Sequence, residues 1–139
     1  AYWFQAKRAN ELYQALDAKH RKVALLDKRS RGERGNKTIQ TKGSTKGLEG
    51  LPASELSADQ KGLLGKVLED LLAPFRKKDA DEAMKLIEAN DLNKLHLSYY
   101  KKENIGEDEI WDVWQVEGPK MVWYFRGKPH VHVWANIEA

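Results

Sequence analysis

The pattern of apolar and polar positions changes period along the chain, from helical in the first two thirds to strand-like in the last third. Over residues 2–27, apolar side chains recur at three- and four-residue steps, which predicts one long amphipathic helix. Leucines at the same spacing predict a helix over 57–73, and Ser57 with Gln60 forms the sequence pattern of a capping box at its start. The same criteria predict a third helix over 79–90.

From residue 94 onward the apolar positions alternate at a period of two, which is typical of strands. Four such segments follow one another across short turns, so they are expected to pair as an antiparallel meander. The predicted strands are 94–101, 109–117, 120–126 and 130–137. The sequence therefore predicts one α+β domain over 1–139, with three helices packed on a four-stranded antiparallel β-meander that spans 94–137.

The connection between the first two helices is long and basic. Residues 28–50 contain five glycines, many Lys and Arg and few apolar side chains. Ordinary connections have about 4–6 residues, so this segment is predicted to be a flexible basic loop, with a short edge strand at 37–41.

Turn lengths give a predicted register for the last three strands. The short turns set Trp114 opposite Trp123, Phe125 opposite His130 and Trp123 opposite His132. Both sheet faces are then rich in large apolar side chains, and both must be covered. The helices can cover one face. The other is expected to need the first helix wrapped round it, an upstream segment of the same protein or a partner subunit.

The last hairpin carries the chemistry that stands out in this sequence. His130 and His132 lie two positions apart, so on a strand they share a face with Cβ atoms roughly 6.5–7 Å apart. Two neutral imidazoles at this spacing can bind Zn²⁺ or another divalent metal. The alternative is structural, with both rings packed against tryptophan and hydrogen-bonded to the backbone or to water.

A complete metal site needs a third ligand, and the candidates are secondary. Asp112 falls in the same cross-strand row as His130 but two strands away, and His96 lies on the most distant strand. Arg126, in the turn, can bind a carboxylate or phosphate or be an ordinary solvated side chain. The aromatic side chains predicted on the histidine face form a candidate pocket wall for a small ligand, although tryptophans more often belong to a core: Trp114, Trp123, Phe125 and Trp134.

Charge and composition narrow the class of protein. The net charge of +3 is unevenly distributed, because residues 1–46 hold twelve Lys and Arg against four Asp and Glu. The basic loop has no aromatic side chain to stack on a base, which argues against nucleic-acid binding. No apolar run approaches the roughly 20 residues that span a bilayer. With no cysteine and no signal peptide the sequence indicates no compartment, and its start without methionine suggests that the chain is truncated or processed there.

Several segments carry a resemblance to a known family, the bacterial domain of unknown function 3500. The family's closing His-x-His-x-Trp pattern is matched by His130, His132 and Trp134. The resemblance implies that the chain is the C-terminal portion of a longer protein, and it implies no activity or cofactor, because none is established for the family. The segments that resemble it are 51–61, 71–77, 95–100, 111–119 and 123–137.

Two function hypotheses follow from these residues. The first is a metal- or small-ligand-binding domain, with His130 and His132 as ligands beside the aromatic wall. The second is a noncatalytic structural or interaction module whose aromatic sheet face docks an upstream segment or a partner subunit. The sequence leaves open whether the protein is an enzyme, since it contains no glycine-rich phosphate loop, nucleophile elbow or cysteine nucleophile.

Overall fold

A computed structural model describes residues 3–30, 40–104, 110–127 and 131–138. These residues form an α+β domain with four helices and a mixed, mostly antiparallel sheet. The helices are α1 (Trp3–Ala15), α2 (Ala18–Ala24), α3 (Ala58–Leu72) and α4 (Lys77–Ala89). The strands are β1 (Leu25–Leu26), β2 (Leu51–Pro52), β3 (His96–Tyr100), β4 (Val113–Gly118), β5 (Met121–Arg126) and β6 (His132–Ile137).

The sheet is larger than the predicted four-stranded meander. Its order is β1-β3-β4-β5-β6, and β2 also pairs with β3. β1 runs parallel to β3, with Leu25 opposite Tyr99, whereas β2 and all later strands pair antiparallel. β1 and β2 have two residues each, which is too short to show a period of two in the sequence.

The first predicted helix is two helices. α1 ends at Ala15, and Asp17 begins α2 by accepting a hydrogen bond from the His20 backbone N–H at 2.8 Å. Aspartate is a preferred N-cap residue, so this position marked a helix start inside the apparently continuous pattern. Because the apolar stripe of the predicted helix is interrupted between α1 and α2, Val23 does not face the core and is 40% exposed.

The other two helices begin close to where the sequence placed them. The capping box predicted for α3 is present: the Ser57 hydroxyl accepts from the Gln60 N–H, and the Gln60 side chain accepts from the Ser57 N–H. α4 begins at Lys77, two residues before the predicted start. Asp79 is in its first turn, where it pairs with Arg76 at 2.9 Å.

The register between β4 and β5 differs from the predicted one by two residues. Trp114 pairs with Phe125, and Val116 pairs with Trp123. Because side chains alternate with a period of two, a slip of two keeps every side chain on its predicted face. Trp114, Trp123 and Phe125 therefore do share one face.

The register between β5 and β6 differs by three residues, which reverses the faces of β6. Phe125 pairs with Val133 where His130 was predicted, and Trp123 pairs with Ala135 where His132 was predicted. The loop after Arg126 thus holds more residues than the predicted tight turn. The expectation that His132 and Trp134 share a face with Trp123 is wrong.

One sheet face, the helix face, packs against α1 and α3 and forms the main core. Tyr99 anchors α1 on it by donating its hydroxyl to the Ala9 carbonyl, and burial raises the pKa of this phenol. Arg8 joins α1 to α3 through Asp70, with 2.9 Å between Nε and Oδ2. The chain's own helices therefore cover the aromatic face for which a partner or upstream segment was considered.

The opposite face, the loop face, is buried and mixes polar side chains with aliphatic and aromatic ones. Ser98, Gln115 and Glu117 are at most 1% exposed there. The described parts of the basic loop contact this face: Lys28 pairs with Glu49, and the Glu49 carbonyl accepts a hydrogen bond from Ser98 at 3.2 Å. Residues 48–50 are thus partly buried against the sheet, whereas 42–47 are exposed. Residues 31–39, which hold most of the edge strand predicted at 37–41, lie outside the described residues.

Candidate functional site

The structure separates the residues that the sequence placed in one site. His132 lies opposite Arg126 on the loop face, together with Trp134, while Trp114 and Phe125 stack inside the core with centroids 4.8 Å apart. His130 lies outside the described residues. The His130–His132 pair therefore stays a prediction, but its predicted aromatic wall is on the other side of the sheet from His132.

The secondary candidates are also dispersed. Asp112 is buried next to the loop after β5, where its carbonyl accepts from the Gly127 N–H at 2.7 Å. His96 lies on β3 opposite Glu117, on the loop face. Arg126 donates to the Tyr124 hydroxyl at 3.3 Å. Within the described ranges, no three His, Cys, Asp or Glu side chains come together as metal ligands.

Trp123 is the member of the predicted wall that lines a pocket in the described structure. This Trp123 pocket has a volume of about 230 Å³ and opens between α1, the end of α3 and the strands β5 and β6. Phe75 stands edge-on to Trp123 at its mouth, with centroids 6.2 Å apart and planes at 87°. The described lining residues are Gln5, Leu71, Pro74, Phe75, Trp123, Val131 and Val133.

Two buried polar atoms belong to residues of this pocket and have no hydrogen-bond partner in the described structure. They are the amide oxygen Oε1 of Gln5 and the indole nitrogen Nε1 of Trp123, in side chains that are 3% and 2% exposed. The orientation of the Gln5 amide is fixed, because its Nε2 donates to the Asp70 carbonyl at 3.0 Å and only nitrogen can do so. The pocket thus has an apolar wall, and two of its lining residues each carry one buried polar atom, an acceptor in Gln5 and a donor in Trp123.

Among the residues that line the Trp123 pocket, the sequence pattern pointed to Trp123 but not to Gln5 or Phe75. Trp123 was singled out for its aromatic neighbours. Gln5 is a polar residue on the buried stripe of α1, in step with Ala9 and Leu12, and this position was a usable signal. Phe75 follows Pro74 in the turn between α3 and α4, and its proximity to β6 depends on tertiary packing that no local pattern shows.

A second polar cluster lies on the loop face. The Gln115 amide donates to the Glu117 carboxylate at 3.2 Å, and its own Oε1 is buried without a partner in the described residues. His96 packs beside Glu117, with its Nδ1 buried and without a hydrogen bond there. Burial lowers the pKa of His96 below 6.5, against the opposing effects of a backbone hydrogen bond with Gly50 and of the Glu117 and Glu55 carboxylates.

The pKa of the loop carboxylate Glu49 is also lowered, by different causes. Burial acts to raise the pKa of Glu49, but hydrogen bonds from Lys28 and Tyr100 outweigh it, so the pKa lies below 4.5. Glu49 is therefore ionised at neutral pH and connects the loop to β3. Its contribution to stability is present above pH 4.5 and is lost as the pH falls through its lowered pKa.

His96 should also make the free energy of unfolding depend on pH, in a range above that of Glu49. The unfolded chain takes up a proton at His96 as the pH falls through 6.5, whereas the folded chain does so only at lower pH. Stability is therefore expected to fall from pH 7.5 to pH 5.5 in urea unfolding. In His96→Gln, which cannot titrate, the fall should be smaller. An identical fall in both proteins would show that His96 titrates as it does in the unfolded chain.

The fold and the pocket define a class: an α+β domain with a helix-covered sheet and a small, mainly apolar pocket at its edge. The chain belongs to the family described as "Protein of unknown function (DUF3500)", whose match covers residues 4–135. No curated protein and no solved structure matches the chain. In the part of the chain that the structure describes, no helix is long and apolar enough to cross a membrane.

Proposed function

We propose that this chain is a small-molecule-binding domain that takes an uncharged, mainly apolar ligand in the Trp123 pocket. The observation that carries the proposal is the pair of partnerless buried atoms, Gln5 Oε1 and Trp123 Nε1, at a pocket with apolar walls. Buried polar groups without partners are costly, at about 1–3 kcal/mol each. Both atoms are buried, so a ligand that offers one donor and one acceptor removes both penalties once small movements of the Gln5 and Trp123 side chains bring them into reach.

The lining residues indicate that the ligand is uncharged. None of those described carries a charge. The ion pair beside Gln5, Arg8 with Asp70, is already matched, because the Asp70 carboxylate accepts from the Arg8 guanidinium and the Asp70 carbonyl accepts from Gln5. A charged ligand in the pocket would lose its hydration without gaining a counter-charge.

The size of the pocket indicates a small ligand or one small group of a larger ligand. A volume of about 230 Å³ lies below the roughly 300–1,000 Å³ of pockets that enclose drug-sized molecules. A single ring with one amide has the right combination of apolar body, donor and acceptor. Benzamide is therefore a suitable probe.

Benzamide is expected to bind with a Kd on the order of 1 mM, which is ordinary for a ligand of this size. Titration is followed by two-dimensional ¹H–¹⁵N NMR, in which the indole N–H of each of the five tryptophans gives a separate reporter. The Trp123 indole signal, assigned with Trp123→Phe, should shift saturably. Benzoate and benzylammonium should bind at least about 10-fold more weakly, because both bring a charge.

Two valines with nearly equal exposure provide a matched pair of variants. Val133 lies at the pocket and is 41% exposed, and Val23 lies on α2 and is 40% exposed. Val133→Phe should narrow the pocket and weaken benzamide binding at least about 10-fold, whereas Val23→Phe should leave it unchanged. A Trp123 signal that does not respond to benzamide, or that responds equally in both variants, would contradict the proposal.

The metal-binding form of the original hypothesis is not part of this proposal. It depended on a third ligand near His130 and His132, and among the described residues no three His, Cys, Asp or Glu side chains come together as metal ligands. Trp123 alone carries over from the predicted site to the proposed one.

A further inference from the structure

Strand β6 forms an outer edge of the sheet in the described structure. It pairs with β5 along its whole length, and no other described strand lies beside it. β6 also differs from the inner strands in exposure, since His132, Val133 and Ala135 are all exposed. Its second edge is therefore not paired with another strand of the described structure.

The backbone groups at this edge can be assigned from the hydrogen-bond pattern. The Glu138 N–H donates to the Lys120 carbonyl at 2.7 Å, and these residues are directly opposite in the β5–β6 register. In an antiparallel pair, hydrogen-bonded positions alternate with non-bonded ones. Residues 132, 134, 136 and 138 thus bond towards β5, and Val133, Ala135 and Ile137 direct their N–H and C=O groups to the open edge.

The sequence of this strand lacks the usual features that prevent strands from pairing, and the contact of α4 with it, from the Asn90 side chain to the Glu138 carbonyl at 2.9 Å, lies beyond the three outward-directed positions. Proteins protect an exposed edge with lysine, proline, a bulge or a very short strand. The sequence of β6, His-Val-Trp-Ala-Asn-Ile, has six residues, no lysine and no proline, and its register with β5 is continuous. An edge of this kind is suited to accept another strand.

We infer that the β6 edge is the interface for a second copy of this chain, which pairs antiparallel with β6 about a twofold axis at Ala135. In this register Ala135 faces its own copy, and Val133 faces Ile137 of the second chain. These are the positions whose backbone groups point outward, so each pair can exchange two hydrogen bonds.

A second copy fits this edge better than a charged partner strand does. β6 carries no Asp, Glu, Lys or Arg, so two copies bring no fixed like charges together. The same register sets His132 opposite Glu138 of the second chain, whose carboxylate accepts hydrogen bonds from Thr41 and Asn136 of its own chain, and Trp134 opposite Asn136. The interface is isologous, as in most homodimers.

The pairing also continues the apolar surface of the helix face. Val133 and Phe75 are two of the large apolar side chains that are most exposed in the described structure, and both lie at the Trp123 pocket. An added strand places its own helix-face side chains beside Val133 and shields it from water. Dimer formation does not depend on ligand binding, so this inference and the proposed function can fail separately.

The test replaces Ala135 with proline, which removes only a backbone N–H that points away from β5. Ala135→Pro leaves the bonds to β5 intact, because Ala135 does not bond towards β5, and proline is tolerated on edge strands. Ala135→Val keeps the N–H and serves as the matched control. Sedimentation equilibrium of the 139-residue chain without ligand should give twice the 16.0 kDa mass of one chain at high concentration.

The expected results are a dissociation constant at least about 10-fold weaker for Ala135→Pro and an unchanged one for Ala135→Val. Circular dichroism and thermal unfolding of the monomeric fraction establish that the proline variant is folded. If it is not, Val133→Lys, with Val23→Lys as control, places a charge at the same edge and gives the same test. A chain that stays monomeric up to about 1 mM, or a dimer that the proline and lysine variants leave unchanged, would overturn the inference.

Discussion

Replacing Gly50 with alanine is expected to lower the free energy of unfolding by about 3 kcal/mol. Gly50 has a φ of +91°, where an L side chain costs about 1–2 kcal/mol. An added Cβ would also lie 2.4 Å from the Leu97 carbonyl oxygen and 2.2 Å from Ser98 Oγ. The carbonyl belongs to the inner strand β3 and has little freedom to move, so strain adds roughly another 1–3 kcal/mol.

Gly47 provides the control for this variant. Its φ is +79°, close to that of Gly50, but nothing in the described structure lies within 4 Å of an added Cβ. Gly47→Ala should therefore show the backbone effect alone, about 1 kcal/mol. Urea unfolding at neutral pH measures both. Equal losses in the two variants would mean that Gly50 is not packed against β3.

The difference between Gly50→Ala and Gly47→Ala tests how the end of the loop is attached to β3. The Glu49–Gly50 segment lies on β3 through the Ser98 hydrogen bond to the Glu49 carbonyl and through the contacts of the Glu49 carboxylate with Tyr100 and Lys28. Each of these contacts requires the backbone to approach the strand closely. Only glycine at position 50 permits that approach.

Sequence patterns were sufficient wherever one local rule decided the structure. The start of α3 follows from Ser57 and Gln60, because a capping box satisfies backbone donors within a single turn. The faces of β4 and β5 also followed, since the register error was two residues and left the alternation unchanged. These features depend on neighbours in sequence or on a repeat of two.

The patterns were insufficient where distant segments meet. The faces of β6 depend on the number of residues in the preceding loop, and an error of three placed His132 and Trp134 on the wrong side. The Trp123 pocket brings Gln5 near the start of the chain together with Phe75 and Val133. No periodic pattern within one helix or strand predicts that these three residues lie close together. The burial of the polar residues Gln115 and Glu117 likewise follows from no local pattern in β4.

Replacing Trp114 with alanine is expected to cost about 3–5 kcal/mol, because its indole is fully buried and stacks on Phe125. Trp134 lies on the other face and is partly exposed, so Trp134→Ala should cost about 1 kcal/mol. Thermal and urea unfolding of the two variants measure the difference. Similar losses for both would favour a single aromatic wall on one face, as the sequence first indicated.

Trp114→Phe distinguishes packing from hydrogen bonding at the same position. The Trp114 indole N–H is buried without a partner in the described structure, so its removal relieves a penalty of about 1–3 kcal/mol. Phenylalanine keeps a ring against Phe125 but leaves a small cavity. These effects oppose each other, and the expected net change is within about 1 kcal/mol. A loss as large as that of Trp114→Ala would show that the indole N–H has a partner in solution, and the assignment of Trp114 to a purely apolar core would then be wrong.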